Sequence, residues 1–122
     1  MSLAELKKSK YKRLDMQAAI RRLGDNEVLY DTILHLFVNN HRSVSEEIRL
    51  ELVAGNRESA IMAAHSFKGA ALNVGVSELA GQADSIIRHI TVAQLSAVQQ
   101  LLNELDDQMK EFIELIVEAN SK

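Results

Sequence analysis

The chain has 122 residues, of which 47% are hydrophobic and 25% are charged, and its formal net charge is −3. This composition is that of one globular domain and excludes a chain that is disordered throughout. The sequence contains no cysteine, which excludes a disulfide framework, a thiolate metal site and a cysteine nucleophile. The acidic balance argues against nucleic-acid binding, which normally goes with a basic excess.

Residues that form turns are scarce in this sequence, which has no proline and five glycines. A β-rich domain of this length normally needs more of them. No apolar run is long enough to cross a bilayer, and the charged start, residues 1–13, lacks the apolar core of a signal peptide. We therefore predict an all-α, cytoplasmic protein that forms a single domain over residues 1–122 and makes no membrane contact.

Short helical elements are predicted for the N-terminal region. Residues 1–13 carry leucines among lysines and are expected to form a flexible arm or an extra amphipathic helix. Asp15 is a good N-cap for a short helix through Leu23, and Gly24 suits the position that follows a helix end.

A long amphipathic helix is predicted next, capped by Asp25 or Asn26 and running to Ala54. Asn40 and His41 interrupt its apolar pattern at mid-length. Spacings of three, four and seven residues place the other apolar side chains on one stripe. These side chains are Val28, Leu29, Ile33, Leu36, Phe37, Val44, Ile48 and Leu52.

Gly55 and Asn56 mark the end of this helix and the cap of the next, which is predicted to cover Arg57–Asn73. Gly75 stops that third helix. The connection is short, so the two helices are expected to be antiparallel neighbours.

Ser77 is predicted to cap a fourth helix through Ile90, and Thr91 with Gln94 forms a capping box for a last helix through Ala119. Short connections between long amphipathic helices predict an antiparallel four-helix bundle with one or two additional short N-terminal helices. The inward side chains of the last two helices are predicted to be Leu79, Ala83, Ile86, Ile87, Leu95, Val98, Leu102, Leu105, Met109, Phe112, Ile113 and Ile116.

The third helix presents a histidine on the side away from its predicted buried face. On a helical wheel, His65 lies about 140° from the stripe centre, Lys68 about 80° and Gly69 about 180°. His65 is therefore expected to point outward, with a lysine and a glycine one turn further along. The buried stripe itself is predicted to consist of Ala60, Ala63, Ala64, Phe67, Ala71 and Val74.

The neighbours of His65 are unusual for a plain solvent face. Gly69 costs roughly 1 kcal/mol relative to alanine in a helix interior, and it leaves room for another molecule to approach. Ile61, Met62 and Leu72 place apolar surface nearby, where a partner or the N-terminal helix is expected to cover it. Since Lys68 lies one turn away, it can hold an anion beside the imidazole. The pattern predicts a histidine on a docking face, with a cation placed for a phosphoryl group.

These residues resemble the signature of histidine-containing phosphotransfer domains. The signature segment is 64–69, AHSFKG, followed by Asn-Val-Gly at 73–75 and Leu-Ala at 79–80. Upstream, the segments 22–25, 29–30 and 34–37 are similar to the helix that precedes the signature in that family. The resemblance extends over roughly residues 14 to 115.

The resemblance implies a role for each matching residue. His65 matches the phosphorylated histidine, Lys68 the residue that helps to neutralise the phosphoryl group, and Gly69 the small residue that admits a receiver domain. Leu72 departs from the family pattern, because many members carry a small residue there. Ile87 also departs, because many members carry a Gln or Glu that hydrogen-bonds the imidazole.

With Ile87 in that place, Gln82, Asp84 or a water molecule is expected to orient the His65 ring. The docking surface is expected to comprise Gly69 together with Ile61, Met62 and Leu72. The histidines His35 and His41 do not share a helix face, and no metal site is predicted.

The family relays phosphoryl groups between aspartates of receiver domains. The resemblance thus implies a response-regulator receiver domain as partner, together with a sensor or hybrid histidine kinase. The sequence has no Gly-rich phosphate loop and no evident carboxylate cluster for Mg²⁺. We therefore predict a phosphoryl carrier without a cofactor, whose partner supplies the Mg²⁺ and most of the catalysis.

Two other function classes stay open at this stage. One is a helical adaptor that binds a receiver domain without transferring phosphoryl groups, which the missing ring-orienting residue favours. The other is a bundle enzyme or cofactor carrier, which the lack of converging Glu-x-x-His pairs disfavours.

Overall fold

The structure is a computed structural model that describes residues 16–120, with side chains described for 17–116. The described chain is helical, in agreement with the predicted all-α bundle and its short N-terminal helix. Its helices are α1 (Met16–Arg22), α2 (Glu27–His41), α3 (Val44–Val53), α4 (Arg57–Asn73), α5 (Ser77–Thr91) and α6 (Leu95–Asn120). The arm or extra helix predicted for residues 1–13 and the Asp15 cap lie outside the described residues. No helix among those described is both long and apolar enough to cross a membrane.

The turn between α1 and α2 depends on backbone conformations that favour glycine. Gly24 has φ +68°, as expected after a helix end, and Asp25 follows with φ +62°. Of the two predicted caps for the next helix, Asn26 is the one used, because its side chain accepts a hydrogen bond from the Leu29 amide at 2.9 Å.

The single long helix predicted through Ala54 is wrong, because the segment forms two helices. Helix α2 ends at His41 and α3 begins at Val44, with Ser43 between them at φ −106° and ψ 22°. No glycine or proline marks this break. Asparagine and serine favour helix ends over helix interiors, since their short polar side chains compete for backbone hydrogen bonds, and Asn40 lies just before the break.

Buried side chains from every described helix form one continuous core. Helix α4 packs against α3 on one side and α5 on the other, and α5 in turn packs against α6. The pairing of Phe37 with Phe67 and of Tyr30 with Val74 shows that α2 runs antiparallel to α4. The largest fully buried side chains are Tyr30, Phe67, Phe112, Leu34, Ile48, Leu79, Ile86, Ile90, Leu102, Leu105 and Val44.

Several residues predicted to face inward are exposed instead. Val28 (79% exposed), Leu29 and Leu36 lie on the solvent side of α2, and Leu95 is exposed at the start of α6. The buried face of α2 is formed by Tyr30, Leu34, Phe37 and Val38. Leu29 and Leu36 each precede a buried residue by one position, and therefore lie about 100° away from it around the helix.

The caps predicted for α5 and α6 are wrong. Thr91 is the last residue of α5, and its hydroxyl donates to the Ile87 carbonyl at 2.8 Å instead of capping α6. Gln94 immediately precedes α6, after Ala93 at φ +57°. Ser77 is the first residue of α5 rather than its cap, a position that Val76 occupies. The helix Arg57–Asn73 has the predicted bounds.

Candidate functional site

Helix α4 buries one face against the core and exposes the opposite face to solvent. The small side chains of Ala60, Ala64 and Ala71 are fully buried together with Phe67. Alanine at three of these positions lets the helix pack closely against its neighbours. His65 lies on the opposite side of the helix and is exposed, as the wheel predicted.

Lys68 lies one helical turn after His65, and its side chain leans toward α5. Its Nζ donates to Oδ1 of Asp84 at 3.0 Å, and the two side chains are 31% and 44% exposed. Arg88, one turn further along α5, brings its Nε to 3.5 Å from Oδ2 of the same carboxylate. The Asp84 carboxylate therefore lies between two cations, one on each helix.

The charges around Asp84 determine its protonation. The hydrogen bond from Lys68 and the charge of that ammonium lower the pKa of Asp84, and Arg88 and His65 add smaller effects in the same direction. The structure brings Lys68 and Asp84 together, two of the residues singled out in the sequence, one helical turn from His65.

Gly69 is exposed in the middle of α4, and neither its backbone nor its packing requires glycine. A Cβ built at this position has no neighbouring heavy atom within 4 Å, and the backbone has no positive φ. The absent side chain therefore leaves open space on the surface, one turn after His65.

The predicted apolar neighbours of His65 are only partly exposed. Met62 is 71% exposed and Leu72 is 49% exposed, whereas Ile61 is half-buried and packs against the core. Met62 and Leu72 are thus available to a partner. Ile61 packs against the core and so stabilises the bundle.

Gln82 does not reach His65. Its amide nitrogen donates to the Leu101 carbonyl at 2.8 Å and to Oε2 of Glu104 at 3.1 Å, both on α6. Gln82 and Asp84 are two residues apart on one helix and so face different sides of it. Ile87, one turn after Asp84, is half-buried against the core.

Arg22 and Tyr30 hold the C-terminal end of α4, a role that the sequence analysis did not give them although it named the segments 22–25 and 29–30. The guanidinium of Arg22 donates to the carbonyls of Leu72 and Asn73 at 3.1 and 3.2 Å, and the Tyr30 hydroxyl donates to the Val74 carbonyl. Burial raises the pKa of Tyr30, so that its hydroxyl stays protonated as a donor. A cation near a helix C-terminus is a recognisable signal, but Arg22 is remote in sequence from the helix it caps.

The chemistry available at this site is that of a nucleophile beside a cation. Within residues 16–120, no three His, Asp or Glu side chains lie close enough together to hold a metal ion. His65 offers an imidazole nitrogen to a reactant, and Lys68 offers a positive charge one turn away. These groups suit a phosphoryl group that arrives from outside the protein.

Comparison with known proteins places the chain in a family. A family model described as the Hpt domain matches residues 32–115, more than half of the chain. The comparisons with curated proteins and with solved structures give no significant match. The family match agrees with the resemblance seen in the sequence and with the helical bundle. The chain therefore belongs to the histidine-containing phosphotransfer (Hpt) domain family, whose members carry phosphoryl groups in two-component signalling.

Proposed function

We propose that this protein is a phosphorelay intermediate that accepts a phosphoryl group on His65 from a receiver-domain aspartate and passes it to another receiver domain. The observation that carries the proposal is the exposed imidazole on α4, with Lys68 one turn away and open space at Gly69. A large partner can reach His65 over that space without moving the bundle.

The proposed step conserves atoms and charge. The lone pair of an unprotonated ring nitrogen of His65 forms the N–P bond while the P–O bond of the aspartyl phosphate breaks. The electron pair of the broken bond leaves with the receiver's carboxylate, and the proton on the other ring nitrogen stays in place. The reverse step returns the phosphoryl group to the aspartate of a second receiver.

Phosphoryl transfer depends on in-line positioning and on neutralising the charge of the phosphoryl oxygens. In this proposal, α4 holds the imidazole, since its inner face is fixed by buried side chains, and Lys68 places an ammonium near the oxygens. The receiver domain contributes its own Mg²⁺ and most of the catalysis. This protein acts as a carrier with no ATP site of its own.

We propose that the docking surface is built by Gly69, Met62 and Leu72, with Ile61 at its edge. A receiver domain and a sensor or hybrid histidine kinase are the partners that this surface serves, in the cytoplasm. The exposure of Met62 and Leu72 supports this assignment, since apolar side chains grouped on a surface often mark an interaction site.

Transfer from a phosphorylated receiver domain to the purified protein tests the proposal. The wild-type chain should take up label that is labile in acid and stable in base, as expected of a phosphoramidate. His65→Gln should take up none and keep its fold, because the side chain is exposed. His35→Gln, the same change on α2, is the matched control and should be labelled normally.

Label that persists in His65→Gln, or that disappears in His35→Gln instead, would contradict the assignment. The alternative of a receiver-binding adaptor without transfer is favoured by one observation, the apolar Ile87 at the position where many members of the family carry a Gln or Glu. The adaptor would bind the receiver domain in a pull-down and leave His65 unlabelled in the same experiment.

A further inference from the structure

Lys68 is already engaged by a carboxylate in the unphosphorylated protein. The Nζ–Oδ1 distance to Asp84 is 3.0 Å, and Asp84 is also 3.5 Å from the Nε of Arg88. The ion pair joins α4 to α5 beside His65. The ammonium that the phosphoryl group needs therefore has another anionic partner within reach.

A phosphoryl group on His65 would carry about −1.5 to −2 charges and three strong acceptor oxygens at neutral pH. Lys68 has a single compact charge, on a flexible stem that can swing between two anions. Any share of its charge that stays with Asp84 is not available to the phosphoryl oxygens. Asp84 is ionised at neutral pH, as aspartates ordinarily are, and its 3.0 Å contact with Nζ makes it a charged competitor for Lys68.

We propose that Asp84 is a positioning residue that competes with the phosphoryl group on His65 for the Lys68 ammonium. Asp84 thereby destabilises the phosphorylated carrier and shifts the equilibrium toward the phosphorylated receiver domain. This inference rests on the proposed phosphorylation of His65. It assigns to Asp84 a role in setting the transfer equilibrium, and not the role of orienting the imidazole.

The test is the equilibrium between one phosphorylated receiver domain and this protein, measured for the wild type and for Asp84→Asn. Asparagine keeps the size of the side chain and removes its charge. The ratio of phosphorylated His65 to phosphorylated receiver should rise about two- to five-fold, the scale of a partly exposed ion pair. Damage to the structure would lower that ratio, so a rise distinguishes the proposed role from a merely structural one.

Two further variants complete the experiment. Asp107→Asn removes an exposed carboxylate from α6 and should leave the ratio unchanged. In a Lys68→Met background, Asp84→Asn should lose most of its effect, because no ammonium remains to be released.

The outcomes separate the inference from the proposed function. Wild-type protein that takes up no label on His65 would overturn the proposed function itself. Normal labelling of the wild type with an unchanged or lowered ratio in Asp84→Asn would overturn only the competition. An undiminished rise in the Lys68→Met background would also overturn it, because Asp84 would then act without Lys68.

Discussion

Gly69→Gln should block phosphoryl transfer while leaving the protein slightly more stable. A side chain at this position meets open space, because a Cβ has no heavy-atom neighbour within 4 Å and the backbone is helical. Glutamine is a better helix former than glycine, so the free energy of unfolding should rise by about 0.5 kcal/mol. For a domain of this size that corresponds to a rise in Tm of about 2 °C.

The effect on function should have the opposite sign. The new side chain would extend into the space over which the receiver domain is proposed to approach His65. Displacing a reactant by about 1 Å can cost roughly 100-fold in rate, so transfer from a phosphorylated receiver should fall by at least that factor. Gly69→Ala adds only a methyl group and should keep most of the rate.

Gly81 provides a matched control for the stability change. It is also an exposed helical glycine, on α5, with no heavy atom within 4 Å of an added Cβ. Thermal unfolding should therefore show a similar gain for Gly81→Gln. An unchanged transfer rate in Gly69→Gln would show that the receiver approaches over another face. A loss of stability in that variant alone would show that Gly69 is needed for packing.

Two further predictions concern Ile87 and His41. Ile87→Gln should prolong the life of phosphohistidine by giving the His65 ring a hydrogen-bond partner, and lower the free energy of unfolding by about 1 kcal/mol through lost burial. An unchanged lifetime in a folded variant would show that the ring is already oriented. His41 lies 5.4 Å from Phe37 and 5.7 Å from Phe67 between ring centroids, and burial lowers its pKa despite the opposing charge of Glu47. The unfolded chain therefore takes up the His41 proton near pH 6.5 and the folded chain only at lower pH, so stability should fall as the pH drops below about 6.5. Urea unfolding at about pH 8 and about pH 5 should show a smaller change in the free energy of unfolding for His41→Leu than for the wild type. An equal change in both proteins would contradict this role of His41.

The sequence predicts α4 well because its signals agree with one another. Gly55 and Asn56 precede it, Gly75 follows it, and one stripe of small apolar residues runs along it. The same pattern places His65 on the outer face. A helix whose ends, period and composition all point the same way leaves little for tertiary structure to alter.

The break between α2 and α3 was not predictable in the same way. Asn40 and His41 interrupt the apolar pattern there, and asparagine and serine favour helix ends, but without a glycine or proline these signals are too weak to show that the helix stops. The exposure of Leu29 and Leu36 was not predictable for a related reason. The predicted stripe contained both Leu36 and Phe37, which lie about 100° apart around the helix, and the spacing does not show which side of so wide a stripe the neighbouring helices will cover.

The pairing of Lys68 with Asp84 depends on how α4 and α5 are aligned, which a helical period does not give. Helical geometry alone does show that Gln82 and Asp84 cannot both face His65, because they are two residues apart. The structure decides between them by placing Gln82 against α6. The register between two helices is a tertiary property, whereas the face of one helix is a local property.

The contacts of Arg22 and Tyr30 with the end of α4 determine how far the chain can be truncated from its N-terminal side without loss of structure. The family match begins at residue 32, after both of these donors. A fragment restricted to 32–115 would leave the carbonyls of Leu72, Asn73 and Val74 without the three hydrogen bonds that they accept here. We expect its last α4 turn, which includes Leu72, to fray. The end of α4 is thus held by residues that precede the family match, and the corner formed by α1 and α2 contributes to the stability of the helix that carries His65.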